Sequence, residues 1–350
     1  MAVQEVIVKT NPAGPVEYSE KAVRKVFETT GYVIADTKKD GVQLNLIASP
    51  GTDELIRWLS RAGKEFPALA VGNEGTPLSQ FVDLLADDCC IYPKGFMLQA
   101  EIVTPGQPAE VTAGNLRRKP KGCFFSWEGI EVHVFGVAPL DVIESGADHD
   151  VTHALMKYHV EAITGLLQKH VPQIKWVVME SVDVFTEEEL QRIYGIRREA
   201  GEEGLVVKDP NAIWRRGKKV GQWKMKPEDT IDGKVVGLVW GTPGLGNEGK
   251  VIGFEVELED GHVVNACGLT QEQKDGFTGK IIRHSRNAYG EDNFPTDGNG
   301  GLSDDLQADA VNPYEGWAVE VAFMERFKDG SLRHPSFKRW RGVSDPMTKE

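Results

Sequence analysis

The feature that most constrains this 350-residue chain is a change in the period of its apolar residues near residue 229. Before that point, helix-like and strand-like patterns alternate. Tyr18 to Gly41 reads as an amphipathic helix, with Ala22, Val23, Val26 and Phe27 at helical spacing, leading into a strand at YVIAD. VQLNLIAS alternates as a strand that returns, so the intervening Asp40-Gly41 is expected to close a hairpin. ELIRWLSRAGK and LSQFVDLLADD continue the alternation; GFMLQAEIV and GIEVHVFGVAPL read as buried strands. A long helix is expected over VTHALMKYHVEAITGLLQKH, and another from Thr186, where TEEE offers a capping box through Glu189. EGLVVKD and the stretch around Trp223 read as further strands. Past residue 229 the texture becomes short alternating strands with Glu-Asp-Gly and Lys-Asp-Gly turns, as in GKVIGFEVELEDGHVVNACG and WAVEVAFMERFKDGSLRHPSF. That pattern predicts a small antiparallel barrel or sandwich. The expectation is an α+β chain of two domains, residues 1–229 mixed and residues 230–350 all β.

Several classes are excluded early. No apolar run approaches the roughly 18 residues of a membrane span, and MAVQEVIVKTNP lacks the pattern of a secretory signal. Cys89, Cys90, Cys123 and Cys267 include no CxxC spacing, which argues against a zinc cluster or disulfide framework and fits a cytoplasmic, reducing compartment. A net charge of −13 argues at first against a nucleic-acid partner. Its distribution argues the other way. Trp214 to Lys226 carries Arg215, Arg216, Lys218, Lys219, Lys224 and Lys226 with no acid among them. Shorter basic clusters are Asn115 to Gly122 (with Arg117 and Arg118), Lys280 to Arg286, and Arg333 to Gly342, while acids gather in GTDE, LADD, TEEE and LSDDLQAD. A solvated face explains any one cluster; four in an acidic protein point to a localised polyanion site.

Motifs narrow the chemistry further. Gly244 to Lys250, GLGNEGK, satisfies both GxGxxG and GxxxxGK, but Val251 stands where a phosphate loop needs Ser or Thr, and VIGFEVEL after it reads as a strand rather than a helix. A glycine-rich β loop explains it better. His149, His153 and His159 lie in or near one helix without an HExxH, so they read as satisfied surface or core residues. No GxSxG elbow occurs, and ordinary hydrolase chemistry finds no support.

What remains is a series of polar elements in a fixed order. Lys38 stands in KKDG, then Ser60-Arg61 in LSRAGK, Glu101 at the end of FMLQAE, Phe135 in HVFGV, Glu203 opening EGLVVK, and Lys224 and Lys226 in WKMK. This order resembles the covalent nucleotidyltransferases: ATP-dependent DNA ligases, RNA ligases and mRNA capping enzymes. Among them the chain is most similar to the short DNA ligases of bacteriophages, through KTNP, EGLVVKDP, GLVWGTPGLGNEGKVIGFEV and DGSLRHPSF as well. The resemblance implies a nucleotidyltransferase (ATP-grasp-like) domain followed by an OB-fold barrel, ATP and Mg2+ as requirements, and nicked duplex DNA as the partner of a monomeric enzyme.

The residue types suit that chemistry. Attack on the α-phosphorus of ATP needs a neutral amine, which a lysine supplies when burial or neighbouring cations lower its pKa. Lys224 and Lys226, two apart, share a face of a strand, and the resemblance sets both at the nucleotide phosphates. Glu101 and Glu203 are carboxylates suited to a divalent ion or the ribose hydroxyls, Phe135 to stacking on adenine, and Arg61 to a ribose or phosphate. The resemblance makes Lys38 the nucleophile, with Asp36 at the adenine edge and Thr37 and Lys39 in the same nucleotide-binding segment. On a strand, Lys38 and Lys39 point to opposite faces, so only one is expected in a given pocket. Arg117, Arg118, Arg215, Arg216, Lys218 and Lys219 are the expected grip on the DNA backbone.

The chain departs from the family pattern in two places. Gln43 stands where KxDGxR has arginine, and Gln99-Ala100-Glu101 replaces Asp-Gly-Glu. No clear RxDK-type motif ends the chain, Arg339 to Gly342 being the nearest basic candidate. An RNA ligase, a capping-type nucleotidyltransferase and a nucleic-acid-binding homologue that has lost catalysis are therefore alternatives at this level.

Overall fold

The computed structural model describes residues 6, 8–51, 56–70, 72–120, 122, 124–290, 293–296, 300–327 and 329–341. Lys121, Cys123, Lys328, Gly342 and most of the acidic GTDE segment lie outside the described residues. The chain divides into two compact units, Met1–Lys226 and Pro227–Glu350.

The strands of the first unit, in chain order, are β1 (Gly14–Glu17), β2 (Val33–Lys38), β3 (Val42–Ala48), β4 (Ile56–Ser60), β5 (Phe96–Val103) and β6 (Glu131–Pro139). There follow β7 (His149–Thr152), β8 (Lys175–Val178), β9 (Ser181–Val184), β10 (Gly204–Lys208), β11 (Ile213–Trp214) and β12 (Lys218–Met225). They form two five-stranded sheets, ordered β1-β12-β10-β2-β9 and β4-β3-β5-β6-β8, with β7 and β11 as a separate pair. Helix Glu20–Thr30 lays Val23 and Val26 on the first sheet, against Val33, Ala35, Leu205, Val207, Trp223 and Met225. Helices Leu78–Ala86 and His153–His170 cover the second, where Trp58 stacks on Trp176 and meets Phe81 edge-on. Burying each such large apolar side chain contributes about 1.5–3 kcal/mol.

The expected hairpin does not form. β2 pairs antiparallel with β10 and β9, whereas β3 pairs with β4 and β5. Asp40-Gly41 therefore carries the chain from one sheet to the other. Glycine is required at 41 by space: a Cβ there would lie 2.4 Å from the Ile102 carbonyl oxygen and 2.8 Å from the Glu101 side chain. The capping box at Thr186 is also altered. Thr186 Oγ1 accepts from the Glu189 amide at 3.1 Å, but the Glu189 carboxylate accepts from the Phe185 amide, one residue upstream of the cap. A complete box stands in the second unit instead, where Thr270 and Gln273 open helix Gln271–Tyr289.

The second unit is a closed barrel of β13 (Asp229–Trp240), β14 (Val251–Leu258), β15 (Val263–Cys267), β16 (Ala318–Phe323) and, after a short ribbon of β17 (Glu325–Arg326) and β18 (Leu332–Arg333), β19 (Ser336–Trp340). The order β13-β14-β15-β19-β16 closes where β16 pairs with β13, and the β15–β19 pairing is parallel. Five strands in this order, with a helix between the third and fourth, make an OB-fold. Its core is aromatic, with Phe254 against Phe277, Tyr314, Phe337 and Trp340. Gly244–Lys250 leads into strand β14, so the glycine-rich segment is a β loop. Several cations of this unit's basic clusters are engaged internally. Arg339 meets Glu320 at 2.5 Å, Arg341 meets Asp232 at 2.9 Å, and Lys280 sits 4.8 Å over both Tyr314 and Trp317.

Candidate active site

A cavity of about 360 Å³ in the first unit gathers most of the sequence-predicted residues: Asp36, Thr37, Lys38, Lys39, Arg61, Glu101, Phe135, Glu203 and Lys224 all line it. Strand periodicity explains the selection. Along β10, Leu205 and Val207 enter the core while Val206 and Lys208 face the cavity; along β12, Trp223 and Met225 go in while Gln222 and Lys224 face out. Phe135 is the extra residue of a β-bulge, since β5 pairs Gln99 with Gly136 and then Ala100 with Val134. A bulge re-aims a side chain, here into the cavity.

The charges are organised as pairs. Lys38 is bound to Glu203, Lys39 to Glu202, and Lys208 to Asp36, while Lys224 meets Glu17 at 2.7 Å. Pairing of Gly204 with Lys38, and of the Glu203 amide with the Lys38 carbonyl at 3.0 Å, brings the two acids opposite the two lysines. The expectation that only one lysine enters the pocket is corrected here: β2 ends at Lys38, the strand alternation stops, and Lys39 lines the same cavity. Thr37 is anchored through its amide to the Glu180 carbonyl at 2.8 Å.

Glu101 has an unusual acidity. Burial pushes its carboxyl up to about 8; Lys38 opposes that rise, and Glu203 and Asp40 add to it. Its cross-strand neighbour on β3 is Gln43, a neutral residue. Gln99, the other departure from the family pattern, is buried and bonded at both ends of its amide: Nε2 donates to the Ala13 carbonyl at 3.0 Å and Oε1 accepts from Trp214 Nε1 at 2.7 Å. It holds the segment before β1 and the β11 strand to the sheet beneath the cavity.

These residues fit a magnesium ion as ATP would bring it. Magnesium takes one or two carboxylates plus phosphate and water oxygens rather than an all-protein cage. Among the described residues no group of three or more His, Cys, Asp or Glu is arranged to hold a metal. Glu101 and Glu203, two carboxylates coupled in one cavity, are the donor set that such an ion needs.

Other predicted residues lie elsewhere. Lys226, one position past β12, is not among the lining residues; burial first, and then the Lys224 cation, push its ammonium down. Arg117, Arg118, Arg215 and Lys219 are exposed. Arg216 acts inside the fold, donating to the Ile143 carbonyl at 2.9 Å and the Lys9 carbonyl at 3.1 Å. Lys218 lines the cavity itself. Sequence reasoning assigned no role to Lys208, Glu202, Gln222 or Met179. The period-2 parity of β10 and β12 pointed to Lys208 and Gln222; the Lys39–Glu202 pair and Met179 carry no local signal. His149 Nε2 and His159 Nδ1 share the Tyr92 hydroxyl at 2.9 and 2.6 Å, and His153 is buried, pushed down to about 3 by burial and then by Lys208. His149 and His159 are thus satisfied by Tyr92, and His153 is a buried core residue, in line with the expectation of surface or core histidines.

Residues 15–226 match the family model described as ATP dependent DNA ligase domain, and residues 227–341 that of the DNA ligase C-terminal domain. The chain belongs to the ATP-dependent DNA ligase family. It is 41% identical to the DNA ligase of Escherichia phage T7, over 97% of this chain and 98% of that protein. It is 39% identical to the DNA ligase of Enterobacteria phage T3, with the same coverage. The solved structure of the ATP-dependent DNA ligase from bacteriophage T7 in complex with ATP is similar with a TM-score of 0.60 at 40% identity, covering 95% of this ligase chain and 99% of that one. The two family models thus divide this ligase where its two compact units divide.

Proposed function

We infer that this ligase seals 5′-phosphate/3′-hydroxyl nicks in duplex DNA at the expense of ATP, with Lys38 as the nucleophile. The observation that carries the reading is one cavity holding Lys38, Glu203, Glu101, Lys224 and Phe135 in a chain of this family. We assign adenylation to residues 1–229, and DNA engagement jointly to these and the domain of residues 230–350.

Lys38 Nζ attacks the α-phosphorus of ATP. A nitrogen–phosphorus bond forms, the bond to the β-phosphate oxygen breaks, and pyrophosphate leaves. The amine attacks only without its extra proton, and Glu203, already its acceptor, is in place to take it. Lys224 offsets charge on the phosphoryl oxygens, Arg61 holds phosphate or ribose, Phe135 stacks on the base, and Asp36, held by Lys208, meets its edge. Glu101 and Glu203 would hold Mg2+, which supplies further neutralisation of phosphate charge. A 5′-phosphate oxygen of the nick then attacks the AMP phosphorus, the nitrogen–phosphorus bond breaks, and Lys38 regains a proton. Finally the 3′-hydroxyl attacks the activated 5′-phosphorus, forming the phosphodiester and releasing AMP. The cavity is complete within one chain, which supports a monomer. Free Cys89, Cys90 and Cys267 support a reducing cytoplasm, that of the host cell for a phage enzyme, and no helix among the described residues is long and apolar enough to cross a membrane.

Incubation with α-labelled ATP and Mg2+, followed by denaturation, tests the nucleophile. Covalent label is expected on the wild type and on Lys39→Ala, and none on Lys38→Ala. Silence of the wild type even after a pyrophosphate rinse to discharge bound AMP would remove the ligase reading. Label that survives in Lys38→Ala and vanishes in Lys39→Ala would move the nucleophile by one residue.

A further inference from the structure

We propose that Tyr92, His149 and His159 form a binding site for one Zn2+ ion, separate from the catalytic cavity and from the Mg2+ of the reaction. The three residues come from three parts of the first unit. Tyr92 lies between helix Leu78–Ala86 and β5, His149 opens β7, and His159 stands in the second turn of helix His153–His170. His149 Nε2 and His159 Nδ1 converge on the Tyr92 hydroxyl, at 2.9 and 2.6 Å. The three ring centroids are 5.9, 6.0 and 6.2 Å apart, a nearly equilateral triangle. None of the three residues lines the catalytic cavity.

Proton counting shows why a cation suits this point. A phenol has one proton, so Tyr92 can donate to one imidazole and must accept an N–H from the other. An ion instead meets the lone pairs of both nitrogens and of the phenolate at once. On binding, the Tyr92 proton leaves to water, and the imidazole proton that faced the hydroxyl moves to that ring's other nitrogen. Zn2+ bonds imidazole nitrogen at about 2.0–2.1 Å in tetrahedral geometry, which spaces its donors roughly 3.4 Å apart. The hydroxyl stands somewhat closer than that to each nitrogen, so small rotations of the rings admit the ion. All three residues are half-buried, which leaves a side for water as the fourth ligand. Asp141 and Asp150 add negative potential at His149. Imidazole suits Zn2+, whereas Mg2+ takes oxygen ligands.

The place of the ion in the fold gives it a structural role. β7 pairs with β11, and the register sets His149 opposite Trp214. Trp214 in turn reaches Gln99 beneath the cavity. An ion held by His149 and His159 ties this ribbon to helix His153–His170, and Tyr92 adds the segment that leads into β5. Such a cross-link exists only in the folded chain, so it stabilises the fold by mass action. Cys89, exposed and close to Tyr92 in sequence, is the rival zinc ligand, and the test separates the two.

The test uses the full chain, stripped with a chelator and titrated with Co2+, whose visible spectrum reports tetrahedral coordination. The wild type should show a tetrahedral band that saturates at one ion per chain, is bleached by Zn2+, and is untouched by Mg2+. His159→Gln keeps an amide beside the Tyr92 hydroxyl, and Tyr92→Phe keeps the ring. Each should weaken Zn2+ binding at least tenfold, since even the loss of a contact behind a ligand costs 10–100-fold. Both variants should self-adenylylate with Mg2+ at the wild-type rate. Zn2+ at a hundredfold excess over its Kd should raise the melting of the wild-type first unit by roughly 5–10 °C and that of the variants far less. A wild type without a tetrahedral Co2+ band would overturn the proposal. So would Zn2+ binding that survives both substitutions and is lost in Cys89→Ser, which would give the ion to the thiol. Binding that Tyr92→Phe leaves unchanged would overturn the three-residue donor set.

Discussion

At the scale of single residues, the site turns on how two acids are kept near one lysine. Glu203 is bound to Lys38, while Glu101 is held largely protonated at neutral pH by burial, its carboxyl pushed up to about 8. The sign follows from linkage. Between about pH 4.5, where an exposed glutamate loses its proton, and pH 8, the folded protein retains a proton that the unfolded chain has released. The contribution of Glu101 to stability is therefore full below that window and is lost as pH rises through it. Metal binding runs the opposite way, because only the ionised carboxylate is a ligand. Lys38 offsets this only in part, and Gln43, directly across the strand pair from Glu101, adds no second cation. Gln43→Arg sets a guanidinium beside that carboxyl and should lower its pKa, by one to three units for a charge within about 4–6 Å. The acid limb of single-turnover self-adenylylation at limiting Mg2+, measured from pH 6 to 9, should move to lower pH by a similar amount. An unmoved limb would show that another group sets it.

At the scale of elements, the decisive device is the crossing of the chain between sheets at Asp40-Gly41. It lets one short segment end β2 with Lys38, release Lys39 from strand alternation, and set Gln43, the second residue of β3, opposite Glu101. Gly41→Ala drives a methyl into the Ile102 carbonyl, a backbone atom of β5 that cannot swing aside. The expected cost is about 1–3 kcal/mol of stability, as for overpacked sites. Because the same contact sets Lys38 against Glu101 and Glu203, the rate of self-adenylylation should fall on the order of a hundredfold, the penalty for a misplacement near 1 Å. Equal loss of stability with normal adenylylation would mean that the crossing serves folding alone. This crossing also marks what a sequence conveys. Strand existence was legible because period-2 alternation is local: Leu205 and Val207 against Val206 and Lys208 need no distant partner to be read. Sheet membership is not local, so an Asp-Gly turn between two strands read as a hairpin. Arg216 read as a DNA contact for the same reason, since the carbonyls that hold it belong to Lys9 and Ile143, far away in sequence. Gln99 read as a departure from the family until its buried bonds to Ala13 and Trp214 gave it work in this fold.

At the scale of the whole molecule, the texture change near residue 229 has a thermodynamic counterpart. The cores around Trp58 and Trp223 draw on residues of the first unit, and that around Phe254 on residues of the second. Two units with their own cores need not unfold together, and two-state behaviour is then lost. Calorimetry should resolve two transitions. Phe254 is fully buried and meets four other aromatic rings, so Phe254→Ala removes a large side chain and the edge-to-face contacts around it. Such truncations cost about 3–5 kcal/mol. In a unit of this size that should lower one transition by roughly 10–20 °C and leave the other in place. The unmoved transition should belong to the unit that contains Lys38, because the whole cavity is built from residues before 227. Self-adenylylated protein offers a way to tell them apart: covalent AMP in the cavity should raise the transition that Phe254→Ala leaves alone. A single transition displaced as a whole by Phe254→Ala would mean instead that the two cores melt as one cooperative body.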